Sequence, residues 1–384
     1  MNSLPIESKF IELFGQTPRI FRSPGRINLI GEHTDYNEGF VLPAAIDKEI
    51  MAALAINGSD SICHLYAMDL DLSFEFDLNQ FEPCTEGWPN YIMGVADQIL
   101  KNDSKLKGFD CVIGGDVPLG AGLSSSAALE CVIGYGLNEL FTLGFSKLKI
   151  VKIAQKAEHN FAGVMCGIMD QFASMMGKKD AVFRLDCRSL DYDYFPLELG
   201  DYQILLINSN VKHSLASTEY NTRRMECEEG IRILKTQFPE INNLRDVNLE
   251  MLKRMEEQIP PVTYKRCRFV IEENKRVLDS CEALQGGDIE KFGQLVYGSH
   301  MGLSNDYEVS CPELDFLVEQ TRDKYYILGA RMMGGGFGGC TLNIIRKDKI
   351  KTLIDTITPL YKAAFGKEIT PIEVAIENGT SAII

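Results

Sequence analysis

In the first part of the chain, apolar positions come in short alternating or β-branched runs, at 20–22, 44–55, 62–67 and 72–76. Runs of this length and period predict strands. The spacing then shifts to three and four, predicting helices over 90–100, 124–140 and 146–161, with a strand at 109–114 between the first two. Strands are expected again at 181–185 and 202–209, followed by long helical patterns over 219–235, 263–284 and 289–304. The end of the chain alternates: strands at 327–333 and 339–345, a helix at 349–362 and a strand at 372–376. Blocks of strands followed by blocks of helices indicate an α+β fold rather than a doubly wound parallel sheet. The change of pattern near 190–205 divides the chain into an N-terminal α+β unit, 1–195, and a C-terminal α+β unit, 196–384.

Composition narrows the function. A chain of 384 residues has the length of two or three domains. With 39 Lys and Arg against 54 Asp and Glu, the formal charge is −15, which argues against nucleic acid or an anionic membrane as partner. A small phosphorylated ligand held by local dipoles stays open. Hydrophobic residues at 45% and charged residues at 24% belong to a globular chain and exclude disorder. The longest apolar runs, 51–56 and 204–207, are strand-sized, so no membrane span is expected. The first fifteen residues lack a basic start followed by an apolar core, so no secretory signal is read there. The 11 cysteines contain no C-x-x-C pair, and Cys63–His64 has no second pair to complete a tetrahedral metal site. Reduced, mostly buried thiols in a cytoplasmic protein are expected.

Three segments carry candidate chemistry. Pro118-Leu-Gly-Ala-Gly-Leu-Ser-Ser-Ser-Ala127 joins an expected strand to an expected helix. Gly120 and Gly122 permit positive φ and close approach of a ligand, and three serines open a helix whose free amides favour an anion. Neither a Walker A lysine nor a Rossmann glycine spacing is present, and a plain Gly/Ser turn is the alternative. The second segment is Gly25-Arg-Ile-Asn-Leu-Ile-Gly-Glu-His-Thr-Asp-Tyr-Asn37. It crowds Arg26, Glu32, His33 and Asp35 beside an apolar strand. Such a density of donors and acceptors suits a polyhydroxylated ligand, although a solvated loop with a hydrogen-bonded histidine would read the same way. The third, Met332-Met-Gly-Gly-Gly-Phe-Gly-Gly-Cys340, has glycines where a strand would not want them, which points to a nearby ligand or loop, or to a tight turn.

Taken in order, the three segments resemble the GHMP kinase superfamily, and within it the members that phosphorylate galactose. Shorter matches extend the resemblance from about residue 20 to residue 345: Trp88-Pro-Asn-Tyr91, Cys166-Gly-Ile-Met-Asp-Gln171, Asp186-Cys-Arg-Ser-Leu190, Glu219-Tyr-Asn-Thr-Arg-Arg224 and Asp306-Tyr-Glu-Val-Ser-Cys-Pro312. The resemblance implies a two-domain fold with the active site between the domains, and ATP- and Mg²⁺-dependent phosphorylation of D-galactose at C1. It implies galactose binding by Glu32, His33, Thr34, Asp35 and Tyr220. ATP phosphates would lie on Gly120, Ala121, Gly122, Leu123, Ser124, Ser125 and Ser126, with Trp88 and Tyr91 near the adenine. Ser126 and Glu158 match the Mg²⁺ ligands, two hard oxygens of the kind magnesium takes. Asp170 matches the catalytic aspartate and Arg26 the arginine beside it. Without the resemblance, an N-cap or salt bridge for Asp170 and an ordinary ion pair for Arg26 would serve as well.

Alternatives within the superfamily are weighed by residues. Mevalonate and homoserine kinases lack the Gly-Glu-His-Thr-Asp-Tyr-Asn segment. N-acetylgalactosamine kinases tend toward Ile and Cys where this chain has Thr34 and Asn37. Non-catalytic galactose- and ATP-sensing regulators are shortened in the serine-alanine part of the phosphate loop, which is complete here. A monomeric enzyme is expected.

Overall fold

The computed structural model describes residues 4–102, 105–118, 120–211 and 216–383. Helix α1 (Leu4–Phe14) precedes strands β1 (Arg19–Asn28), β2 (Phe40–Val41), β3 (Pro43–Ile56), β4 (Ile62–Ala67) and β5 (Leu72–Asp77). Helix α2 (Trp88–Leu100) and strand β6 (Phe109–Gly115) follow, then α3 (Ser125–Leu140), α4 (Lys147–Ala157) and α5 (Met169–Met176). Strands β7 (Ala181–Asp186), β8 (Tyr192–Pro196) and β9 (Tyr202–Asn208) lead to helices α6 (Ala216–Leu234), α7 (Leu249–Arg254), α8 (Pro261–Gln285), α9 (Ile289–Asn305) and α10 (Pro312–Glu319). The chain closes with β10 (Ile327–Met332), β11 (Cys340–Arg346), α11 (Ile350–Phe365), β12 (Thr370–Glu373) and β13 (Ser381–Ile383).

Three sheets form among the described residues. The largest runs β13-β1-β3-β6-β4-β5, the second β10-β11-β9-β12, and the third β2-β7-β8. Neighbours are antiparallel except β4 and β6. Helices cover one face of the six-stranded sheet, with Ile92, Val95, Val132 and Leu137 packed against Phe21, Leu54 and Cys111. Helix α3 is apolar nearly all round because it is buried nearly all round. The four-stranded sheet packs against α8 and α9 through Leu206, Leu342, Val277 and Phe292. Every cysteine is a free thiol, and seven of the eleven are buried. Among the described residues no helix is long and apolar enough to cross a membrane.

Several elements had no readable pattern. Helix α5 has only eight residues and buries six of them, too short a run for its period to mark a helix. Strand β13 has three residues and pairs with β1 across the whole chain, Ile20 opposite Ile383. The expected helix 146–161 divides: α4 stops at Ala157 and a single π-turn, Glu158–Ala162, follows, a distortion that recurs at functional sites.

One irregularity positions the site. The β1–β3 register shifts between Pro24 and Arg26, and at Gly25 the backbone presses so closely on the loop before α3 that a Cβ would lie 2.8 Å from the Leu123 carbonyl. Glycine is required there. The Arg26 amide then donates to that carbonyl at 3.1 Å, which locks the end of β1 to the loop.

Candidate active site

Arg26 projects from this bulge toward the first turn of α5. Its Nε and Nη2 donate to the two carboxylate oxygens of Asp170 at 2.8 and 2.9 Å, and Nη1 donates to the Gly122 carbonyl at 2.6 Å. Ser124 also donates its hydroxyl to Asp170. Asp170 is not the cap of its helix, since Ile168 holds that position. Burial opposes the Arg26 charge, but Asp170 and then Glu32 more than offset it, and its pKa is raised.

Arg26 and Asp170 belong to a cavity of about 140 Å³ that Glu32, His33, Asp35, Glu158 and Tyr220 also line. His33 holds a left-handed backbone, φ +62°, which costs a β-carbon-bearing residue on the order of 1 kcal/mol. Its Nδ1 lies 2.7 Å from the Tyr36 hydroxyl, and Tyr36 lies 2.8 Å from the Tyr307 hydroxyl. Burial chiefly, with the Arg223 and Arg331 cations, holds the His33 pKa down to about 3, so the ring is neutral. Its Nε2 is buried and has no partner among the described residues. A ligand hydroxyl would satisfy it.

Asp35 sits over Gly167, where a Cβ would overlap its carboxylate at 1.7 Å. Burial, then repulsion from Asp170, lifts the Asp35 pKa to about 7. Glu32 accepts from the Gly334 amide at 2.8 Å and from Arg331. The cavity therefore joins the β1 end and α5 to Tyr220 on α6 and to the glycine-rich turn after β10.

The phosphate-loop segment adjoins this cavity. Gly120 and Gly122 take positive φ, 71° and 76°, and Ala121 and Leu123 are buried. Leu119 lies outside the described residues. Helix α3 opens at Ser125 with no capping side chain on its first amides. The Ser126 hydroxyl donates to Glu158 Oε1 at 3.1 Å, and Glu158 Oε2 accepts from Gln171 at 2.6 Å. Burial, then Asp170, raises the Glu158 pKa to about 7. Among the described residues no group of three or more His, Cys, Asp or Glu could hold a metal ion. Yet Ser126 and Glu158 set two hard oxygens side by side, in a patch where burial and neighbouring acids penalise a carboxylate without a cation. That donor set fits magnesium.

Of the residues singled out in the sequence, those of the 120–126 loop, Tyr91, Thr34 and Trp88 lie outside the cavity lining. Thr34 is buried, with its hydroxyl 2.8 Å from the Gly31 carbonyl and 2.6 Å from that of Phe40, so it closes its own loop. Trp88 opens α2 half-buried, edge-on to Phe74 at 6.4 Å. Conversely, the sequence reading assigned nothing to Arg331, Glu130 or Tyr36. Arg331 is an arginine in an apolar strand and Glu130 a glutamate in an apolar helix; a lone charge in such a run was the available signal, because burial demands a partner. Glu130 accepts from Gln171 at 3.1 Å, and burial, then Glu158, holds its pKa well above the usual carboxylate range.

Comparison with known proteins agrees with this geometry. A galactokinase galactose-binding signature matches residues 8–56, a GHMP kinase N-terminal domain residues 90–178, and a GHMP kinase C-terminal domain residues 280–361. The galactokinase of Thermotoga petrophila is 42% identical over 362 residues, covering 94% of this chain and 99% of the relative. That of Chloroflexus aurantiacus is 40% identical, covering 97% and 96%. The chain belongs to the galactokinase family. In three dimensions it is similar to the Lactococcus lactis galactokinase complexed with galactose, with a TM-score of 0.94, 35% identity and 99% of each chain covered. Methanococcus jannaschii mevalonate kinase shares the fold, at a TM-score of 0.67 and 19% identity over 94% of this chain and 99% of that one. The expected two-domain GHMP kinase fold is thus the fold of this member of the galactokinase family.

Proposed function

We propose that this chain transfers the γ-phosphoryl group of ATP to the C1 hydroxyl of D-galactose, giving galactose 1-phosphate and ADP, the first committed step of galactose catabolism. The observation that carries the reading is the forked Arg26–Asp170 pair within a cavity whose other polar walls suit sugar hydroxyls. In this reading, Glu32, His33, Asp35 and Tyr220 hold the sugar, each able to meet a hydroxyl that both donates and accepts. Thr34 shapes the loop that presents them. The γ-phosphate approaches from residues 120–126, where the uncapped start of α3 favours anions. The C1 oxygen bonds to phosphorus, the bond from phosphorus to the β-phosphate oxygen breaks, and Asp170 accepts or orients the hydroxyl proton. Arg26 keeps the Asp170 carboxylate aimed and its positive charge faces the developing negative charge.

Ser126 and Glu158 would hold Mg²⁺, which when bound neutralises phosphate charge. Trp88 contributes packing beside the nucleotide end. The division near residue 195 gives the N-terminal unit the sugar segment, phosphate loop and Asp170, and the C-terminal unit the glycine-rich turn. The free thiols support a cytoplasmic protein, and the formal charge of −15 argues against nucleic-acid or membrane partners; we take it to act as a monomer.

A coupled ADP-release assay across galactose, N-acetylgalactosamine, glucose, arabinose, mevalonate and homoserine tests the proposal. Galactose is expected to dominate, with galactose 1-phosphate seen by NMR. No product at saturating ATP would sink the reading.

A further inference from the structure

Strand β10 is apolar, yet it carries Arg331 with 0% exposure. A guanidinium so buried is stable only beside a counter-charge or several acceptors. Its Nη2 donates to Glu32 Oε1, 299 positions away in sequence, and its Nε donates to the Met332 carbonyl at 2.8 Å. The backbone there is held in turn, because the Met332 amide donates to His300 Nδ1 at 3.2 Å. The Gly334 amide donates to the same Glu32 Oε1 at 2.8 Å. One carboxylate oxygen thus receives two protein donors, while Oε2 receives none from the described residues. Glu32 lines the cavity, so Oε2 is the oxygen available to a ligand.

We propose that Arg331 is a positioning residue for the acceptor sugar. By pinning Oε1 it fixes the direction in which Oε2 meets the ligand, so that Glu32 reads one sugar hydroxyl and not whichever hydroxyl is nearest. A carboxylate on a free side chain would rotate among several hydroxyls and discriminate poorly, whereas a pinned acceptor is already arranged before binding. The geometry also accounts for a glycine after β10: Gly334 brings its amide to the same oxygen with φ +82°, a backbone conformation that favours glycine. This inference rests on the galactose reading of the cavity.

The test is calorimetric titration of galactose and each monodeoxygalactose into the full-length wild type, Glu32→Gln and Arg331→Lys, with kcat and KM for both substrates. In the wild type, removing the hydroxyl that Glu32 reads should weaken binding about 10- to 100-fold, as for a hydrogen bond to a charged group. Arg331→Lys keeps the charge but loses the Nε donor to the Met332 carbonyl, and with it the fixed direction of the contact to Glu32. Its galactose Kd should rise by a similar factor, the deoxy penalty should vanish at the same position as in Glu32→Gln, and the KM for ATP should stay within about threefold. Wild-type affinity and an unchanged deoxy profile in Arg331→Lys would overturn the proposal, as would an equal loss at every position.

Should Arg331→Lys not fold, the pair Glu32→Gln/Arg331→Met leaves no lone buried charge. Acting through Glu32, Arg331 then adds nothing: the double variant should bind galactose within about twofold of Glu32→Gln alone, and additive losses would refute the assignment. A wild type that binds no galactose would instead refute the reading of the cavity, and this inference with it.

Discussion

Arg26 and Asp170, 144 positions apart, meet in a forked ion pair in which both carboxylate oxygens are engaged, at 2.8 and 2.9 Å. The third guanidinium nitrogen is 2.6 Å from the Gly122 carbonyl. One side chain therefore ties the β1 bulge, the first turn of α5 and the phosphate loop together. Alignment of donor, acceptor and charge is the main work of phosphoryl transfer, and in the mechanism proposed above this contact would supply it.

Asp170→Asn preserves shape but removes the charge and the proton acceptor. Its kcat should fall by about 10² to 10⁴-fold, while galactose and ATP affinities change far less. Arg26, 4% exposed, then loses its counter-charge, so the melting temperature should fall as well. Activity must therefore be normalised to folded protein. Near-normal kcat in folded Asp170→Asn would remove this residue, and Arg26 with it, from the mechanism.

Glucose, the C4 epimer, should be a poor substrate. With Asp35 and Tyr220 reading the axial hydroxyl, an equatorial one leaves buried polar groups unpaired, at a cost on the order of 10⁴-fold in kcat/KM. Comparable turnover of the two sugars would show that these residues do not face C4.

Asp35 carries a pH signature. Its folded pKa, about 7 through burial and Asp170, lies above the unfolded value of 3.8. A raised folded pKa means the folded state binds the extra proton between those values, so this contribution to stability is complete below about pH 4 and is lost as pH rises through about 7. Asp35→Asn, uncharged throughout, should therefore melt higher than ligand-free wild type at pH 8, by on the order of 1 °C or more, by a smaller margin at pH 5, and about equally only near pH 4 and below. A difference that is constant across pH, or reversed, would contradict the raised pKa. Galactose phosphorylation by this variant should be strongly impaired.

Thr34 separates loop shape from sugar contact. Thr34→Val removes the hydroxyl held 2.8 Å from the Gly31 carbonyl and 2.6 Å from Phe40, and should lower stability by about 1 kcal/mol. The galactose KM should rise only modestly, and Thr34→Ser should restore both. An affinity loss above about tenfold at unchanged melting temperature would instead place the hydroxyl on the sugar.

What the amino-acid sequence settles by itself are the features whose cause is local. Hydrophobic runs and their period mark β3, β9 and α8, the long apolar stretch marks α3, and glycines with consecutive serines mark the loop before it, because these depend on neighbouring residues alone. The sugar segment was legible for the same reason, as dense polar residues next to an apolar strand, whereas Asp170 on α5 was reached only through the family resemblance. Tertiary structure decided what depends on distant partners. The eight residues of α5 and the three of β13 are stabilised by what they pack against, and each is too short for periodicity to announce it. Thr34 reads as one more polar residue of the segment until folding brings the Gly31 and Phe40 carbonyls to its hydroxyl. Arg331 and Glu32 show the limit most clearly: each stands out in its own stretch, but nothing local says that they are partners. Only burial removes the water that would otherwise solvate both, and that makes their pairing across 299 positions a condition of the fold.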